Sequence, residues 1–193
     1  MEFHPVTADR WPDLERLFSA SAGESLGNPS RCWCMEWRMR DHEQWIRQAR
    51  AGGAANRAMQ QDRVLAGDVP GIIAYVDGAP AGWCSVSPRS GLVGMHEGGA
   101  FRNPLRTDVW SIICFYVPET HRGQGIMKGL VAEALRYALE RGAAIVEGYP
   151  TTPEANDDGA GGTVLAFTAA GFTEVATIGQ HQRVMRYFAE PAA

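Results

Sequence analysis

The chain has 193 residues, 45% apolar and 21% charged, a composition that suits one globular domain and excludes disorder along its whole length. Its 18 basic and 22 acidic residues leave a net charge of -4. That is the wrong sign for a protein that grips nucleic acid by neutralising phosphates, and it mildly favours cationic partners such as amines. No segment reaches the roughly 18 uninterrupted apolar residues of a membrane helix. The start, MEFHPVTADRW, lacks the basic and apolar stretches of a signal peptide, so the expectation is a cytoplasmic protein with no membrane or nucleic-acid partner.

A short strand fits residues 2–6, and Thr7 or Asp9 caps a helix over 11–18 whose first turn tolerates Pro12. Residues 21–31 read as loop. Residues 32–40 crowd aromatic side chains around Cys32-Trp33-Cys34, a CxC that could open a zinc site. No second ligand pair at metal spacing accompanies it, so plain packing is expected and no metal. Cys84 and Cys114 lie in apolar runs, where a reduced cysteine packs as a small hydrophobe. Helical patterns over 41–51 and 55–66, split by Gly52-Gly53, make residues 20–67 an α-helical insert within a single domain spanning 1–193.

The period then changes. GIIAYV (71–76) and AGWCSV (81–86) flank the hairpin signal Asp77-Gly78. Residues 87–108 are polar and glycine-rich, too long for a plain connector, and read as a functional loop. VWSIICFYV (109–117) is the most apolar strand and ends at Pro118. A helix over about 125–141 follows, with Ile126, Leu130, Val131, Ala134, Leu135 and Ala138 on one face and Gly142 as its stop. A strand at 144–149, a loop at 150–162, a short helix at 163–170 and strands at 172–178 and 183–188 complete an α/β fold of mixed strand direction.

The chemistry concentrates after the apolar strand, in Val117-Pro118-Glu119-Thr120-His121-Arg122-Gly123-Gln124-Gly125-Ile126-Met127-Lys128. A strand runs into a glycine turn and then into a helix start. The first amides of a helix lack internal acceptors and sit at the positive end of its dipole, which makes an anion site. Gly123 and Gly125 let a phosphate approach the backbone, and Arg122 and Lys128 add charge, so a diphosphate-bearing ligand is the natural guest. A P-loop would need GxxxxGK followed by Ser or Thr, and a dinucleotide fold would need GxGxxG after its first strand; the chain has neither.

Arg122-Gly123-Gln124-Gly125-Ile126-Met127 resembles the Arg/Gln-x-x-Gly-x-Gly/Ala hallmark of the GNAT acyltransferase superfamily, with Met127 in place of the final small residue. The similarity extends over about 71–187 and includes Gly171-Phe172 before the penultimate strand. It implies an α+β, mostly antiparallel twisted sheet of about six or seven strands with flanking helices. In that fold the fourth and fifth strands, here 109–117 and 144–149, splay around acyl-CoA. The resemblance implies acetyl-CoA as co-substrate, pantetheine paired with the backbone at Phe115, Tyr116 and Val117, and the diphosphate on Arg122, Gly123, Gln124, Gly125, Ile126, Met127 and Lys128. An amide at or near Val117 then polarises the thioester carbonyl. The implied reaction is direct attack by a neutral amine of a small molecule in a ternary complex, and homodimers are common among similar proteins.

An amine is mostly protonated at neutral pH, so a base must take its proton. Glu97 is the first candidate, with His96 and Asp108 beside it on the long loop. The family often carries a thiolate-protonating Tyr where this chain has Phe167, which has no proton to give and is assigned to the cofactor side. Tyr149, at the tip of the fifth strand, is the substitute acid and Tyr116 the next. Cys114 invites a covalent reading, but no histidine partner is evident and an apolar setting raises a thiol's pKa. The competing reading is a non-catalytic acyl-CoA sensor or interaction module, motivated by Phe167 and by the open choice of base.

Overall fold

The computed structural model describes residues 1–21, 23–97, 108–152 and 161–190. Seven strands form one sheet in the order β1-β2-β3-β4-β5-β7-β6. These are β1 (Glu2–Pro5), β2 (Gly71–Val76), β3 (Ala79–Pro88), β4 (Val109–Tyr116), β5 (Ile145–Gly148), β6 (Thr173–Ile178) and β7 (Gln182–Phe188). Every neighbouring pair is antiparallel except β4 and β5. A parallel pair needs a crossover, and α5 (Ile126–Leu139) supplies it.

Both faces of the central strands are covered, which is why 71–76 and 109–116 read as nearly continuous apolar runs. On one face, α5 lays Ile126, Leu130, Val131, Ala134 and Ala138 against Ile72, Ala74, Cys84 and Ile112, and α6 (Val164–Ala169) adds Ala166 and Phe167. On the other, α1 (Trp11–Ser19) brings Trp11, Leu14, Leu17 and Phe18 onto Ile73 and Trp83. The region between β1 and β2 continues this second layer with α2 (Pro29–Cys32), α3 (His42–Arg50) and α4 (Ala54–Leu65). Trp33, Met35, Met39, Trp45 and Val64 bury into the same cluster, so the aromatic stretch is core except for Trp37, which is exposed. Asp41 starts α3 by accepting from the Gln44 amide at 2.9 Å. The turn at Asp77-Gly78 has positive φ at both residues, the requirement of a tight hairpin.

One irregularity positions everything that follows. The register of β3 on β4 slips between Ser85↔Cys114 and Val86↔Ile112, which leaves Ile113 as the extra residue of a bulge. The pairing of β4 with β5 ends at that point, at Ile112↔Gly148. Beyond it β4 continues along β3 to Trp83↔Tyr116 with no strand on its other edge among the described residues. Phe167 fills the base of the opening. Its ring packs edge-on to Phe115 of β4 at 6.0 Å and lies against the backbone of Gly148 of β5, where a Cβ would stand 2.0 Å from a ring carbon. Phe167 is fully buried in the core and therefore supports the strands from beneath; this is a different place from the cofactor-facing one expected of it from sequence.

Gly148→Ala is expected to destabilise the fold by about 1–3 kcal/mol, because the new methyl must displace a ring held on all sides. Urea unfolding followed by tryptophan fluorescence measures it; an unchanged midpoint would show that Phe167 does not seat against this backbone.

Candidate active site

The unpaired edge of β4 leads into the glycine turn. Pro118 ends the strand, a single 3-10 turn spans Glu119–His121, and the chain reaches Gly123 and Gly125 with φ of +75° and +82°. Those backbone angles are costly for any residue with a Cβ, and neither glycine has an atom within 4 Å of where one would be. The space in front of both is open. Among the described residues no amide from 123–128 donates a hydrogen bond, whereas the amides on either side do: Arg122 to the Glu119 carbonyl at 3.2 Å, and Gly129 to the Gly125 carbonyl at 3.2 Å. A run of free amides at the N-terminus of a 14-residue helix forms a cradle for an anion. Arg122 braces it, with Nε donating to the Val117 carbonyl at 3.2 Å and the guanidinium 3.7 Å from the Glu119 carboxylate. Gln124 donates to the Thr120 carbonyl at 3.3 Å.

Beside this cradle lies a cavity of about 1160 Å³. The turn and strand edge contribute Tyr116, Val117, Arg122 and Met127; β3 contributes Trp83; the end of α1 and the segment after it contribute Phe18, Ser21 and Asn28. Phe18 meets Trp83 edge-on at 5.6 Å and Tyr116 at 6.3 Å, which makes one aromatic wall. Asn28 shapes the opposite rim. Its side chain accepts from the Ser30 amide at 3.0 Å and from the Ser21 hydroxyl at 2.8 Å, and Ser21 also donates to the Phe18 carbonyl at 2.6 Å. Burial raises the Tyr116 phenol above its usual range. Cys32, Cys34 and Cys114 line the same cavity.

The structure thus brings together Tyr116, Val117, Arg122, Gly123, Gln124, Gly125, Met127 and Lys128 around the cradle and its mouth. The Ile126 side chain turns into the core, where it packs under Gly82, and Phe115 points to the α5 face, leaving its backbone on the strand edge. Asp108 lies at the opposite end of β4 from the glycine turn, with its carbonyl accepting from Ala144 and Ile145. The side chains of His96 and Glu97 fall outside the described residues. Tyr149 is not in the cavity wall. It is buried just past β5, where its hydroxyl donates to Glu147 at 2.7 Å and lies 3.1 Å from the Ser111 hydroxyl. Burial and the adjacent carboxylate both raise its pKa.

Sequence reasoning missed the centre of that group. Glu147 is 1% exposed on β5 and accepts from Arg89 at 2.8 Å, Arg186 at 2.7 Å and Tyr149. A lone carboxylate inside the apolar run AIVEGY was the available signal, since a buried strand tolerates a charge only when it is paired. Arg38 is the second buried charge. It donates to the Ser85 hydroxyl at 2.9 Å, the Ser87 hydroxyl at 3.3 Å and the Pro70 carbonyl at 3.0 Å. Burial lowers its pKa to about 10.

Residues 31–158 match the Acetyltransferase (GNAT) family, and the chain belongs to it. Acyl transfer is the class of chemistry that this fold and family define. Among solved structures the chain is similar to aminoglycoside acetyltransferase AAC(6')-Ib in complex with coenzyme A, with a TM-score of 0.58 and 17% identity over 96% of this chain and 93% of that one. It is similar to yncA from Salmonella typhimurium with its cofactor acetyl-CoA, at 0.56 and 12% over 100% and 95%. It is also similar to ribosomal-protein-alanine N-acetyltransferase from Brucella melitensis, at 0.54 and 16% over 98% and 100%. At these identities the likeness is one of fold. Comparison with curated proteins gave no sequence match. No helix among the described residues is long and apolar enough to cross a membrane.

The raised Tyr149 pKa carries a pH consequence. Above a pH of about 10 an unfolded chain loses the phenol proton that the folded chain keeps, so the folded state binds more protons and stability falls as pH rises. Tyr149→Phe is expected to cost about 1 kcal/mol near neutrality, through the lost hydrogen bond, and to flatten the decline above pH of about 10. Urea midpoints across that pH range check both; parallel curves for the two proteins would show that the hydroxyl is not held as described.

Proposed function

We propose that this protein transfers an acetyl group from acetyl-CoA to the amine of a small molecule, by direct attack within a ternary complex. The observation that carries the reading is the run of amides at 123–128 that, among the described residues, donate no hydrogen bond, next to a strand edge that no described residue pairs. An acyl-CoA needs both features. Its diphosphate calls for converging N–H groups with no Cβ in the way, and its pantetheine amides pair with an exposed strand as another strand would. The open space before Gly123 and Gly125 fits that demand. Two of the structurally similar proteins hold coenzyme A or acetyl-CoA, and one is named for aminoglycosides, which are amines.

In this reading the diphosphate rests on residues 123–128, and Arg122 and Lys128 balance its charge. The backbone near Val117 polarises the thioester carbonyl. The acceptor enters beside Tyr116, whose ring the buried Phe18 and Trp83 back from the core and where a cationic amine also gains from the ring face. Glu97 takes the amine proton. Tyr116, in the cavity wall, is better placed than Tyr149 to return a proton to the departing thiolate, because the Tyr149 hydroxyl is already committed to Glu147. Tyr149 and Glu147 then act by holding β5 in place at the edge of the opening.

Purified protein mixed with acetyl-CoA and a panel of amines is expected to release free thiol with at least one amine. Gly125→Val is expected to raise the Kd for CoA at least about tenfold while the fold stays intact, since a branched side chain at φ of +82° distorts the amide cradle without meeting any neighbour. Calorimetry checks the affinity. Tight CoA binding with no thiol release from any amine would favour the sensor reading, and equal affinity in wild type and variant would contradict the cradle.

A further inference from the structure

Glu147 is a buried charge with counter-ions, Arg89 and Arg186; Arg38 is a buried charge with none among the described residues. Only 7% exposed, Arg38 donates to the Ser85 and Ser87 hydroxyls and the Pro70 carbonyl, all of them neutral. A charge withdrawn from water is costly unless an opposite charge meets it. The Nε–H of Arg38 adds to the deficit, because it is buried and has no acceptor. Arg38 also lines a second cavity, of about 370 Å³, which shares no described lining residue with the larger one.

Trp110, at the start of β4, places this cavity at the opposite end of that strand from the glycine turn. Arg63, in the last turn of α4, and Arg141, just past α5, line it together with Arg38. One carboxylate, that of Asp68, lines it as well and pairs with Arg63 at 3.0 Å. Arg141 stacks its guanidinium on the Tyr137 ring at 3.5 Å and makes no ion pair among the described residues. Arg63 repeats the deficit of Arg38, since its Nε–H is also buried without an acceptor. Burial and then the charge of Arg63 weigh against the Arg38 cation, and Asp68 offsets a part. Ser87 Oγ accepts from Arg38 at 3.3 Å, so its own proton remains to be donated. Like charges gathered around one space repel each other, and an anion between them turns that repulsion into attraction.

We propose that this second cavity is a ligand site for a small molecule bearing a doubly charged oxyanion, a phosphate monoester or a dicarboxylate, held by Arg38, Arg63 and Arg141 with Ser87 as a further donor. The charge count sets the class. Three guanidinium groups and one carboxylate leave two positive charges over, which a dianion balances. Guanidinium groups favour oxyanions in particular, because their planar fork of N–H donors matches carboxylate and phosphate oxygens. The volume sets the size: a space of about 370 Å³ falls at the small end of small-molecule sites and suits a compact metabolite. Asp68 competes with the ligand for Arg63. The inference rests on residues that the acyl-transfer reading does not use, so it stands or falls separately from that reading.

The test titrates the isotope-labelled full chain with inorganic phosphate and, separately, with malonate, at constant ionic strength in chloride. At least one probe is expected to bind saturably, with a Kd below about 1 mM, and to move the amide signals of Gly67, Asp68, Ser90 and Gly91, which line the cavity. The tighter probe identifies the ligand as a phosphate or a dicarboxylate. Arg63→Gln is expected to raise the Kd of that probe at least about tenfold, through the loss of a charge-assisted donor. Asp68→Asn is expected to lower it at least about threefold, because the carboxylate that repels the ligand and occupies Arg63 is gone. A gain in affinity is an outcome that partial unfolding does not imitate. No saturable shift at these residues with either probe, shifts confined to 123–128, equal affinity in Arg63→Gln, or an Asp68→Asn variant that binds no tighter than wild type would each overturn the assignment.

Discussion

The bulge at Ile113 is the constraint on which the site depends. Had β4 kept its register, Ile113 onward would pair with the continuation of β5, the backbone groups of 113–116 would be satisfied within the sheet, and no edge would face a ligand. One extra residue ends that pairing at Gly148. Phe167 then occupies the place where the strands part, and the chain beyond Tyr116 turns outward into the glycine loop. The strand edge follows from this displacement, while Pro118 with the left-handed Gly123 and Gly125 forms the amide cradle and Phe18 of α1 backs the aromatic wall.

Buried charge organises the other face of the sheet. Ser85, Ser87, Ser111 and Glu147 are all buried there, and Arg38 and Arg89 reach them from outside the strands. Replacing a buried ion group by apolar residues can be neutral for stability, whereas removing one partner leaves a stranded charge and costs about 3–5 kcal/mol. Such groups therefore fix position more than they add stability. Glu147 ties β5 to Arg89 after β3 and to Arg186 of β7, which holds the short fifth strand beside the opening. Arg38 ties the segment before α3 to Ser85 and Ser87 of β3.

Local signals made the framework legible. The hairpin at Asp77-Gly78, the amphipathic face of α5 and the glycine turn at 123 and 125 each depend on residues close in sequence, and each was read from it; the cap expected of Thr7 or Asp9 does not form, since Arg10 precedes α1 with no side-chain cap. Boundaries moved by a residue or two, most at β3, which runs to Pro88 because its polar Ser85 and Ser87 are buried against Arg38. The features that were not legible are made by distant partners. The run 109–117 gives no sign of a bulge, since the slip depends on β3. Phe167 was read as a position beside the cofactor because only its spacing from Gly171 was visible; its contacts with Gly148 and Phe115 are tertiary. Cys34 gained its setting from Trp83, whose indole N–H donates to its sulfur at 3.1 Å, and no local pattern joins the two. Glu97 lies where the described residues end, so its part rests on the sequence and on the proposed chemistry.

The most direct test of the account is a two-dimensional amide spectrum of the labelled protein titrated with coenzyme A. The account predicts that the backbone signals of 123–128 and of 113–117 move farthest and together, as the free amides of the cradle and of the strand edge acquire acceptors. Saturable binding that leaves those signals in place, and moves a different contiguous segment, would contradict it.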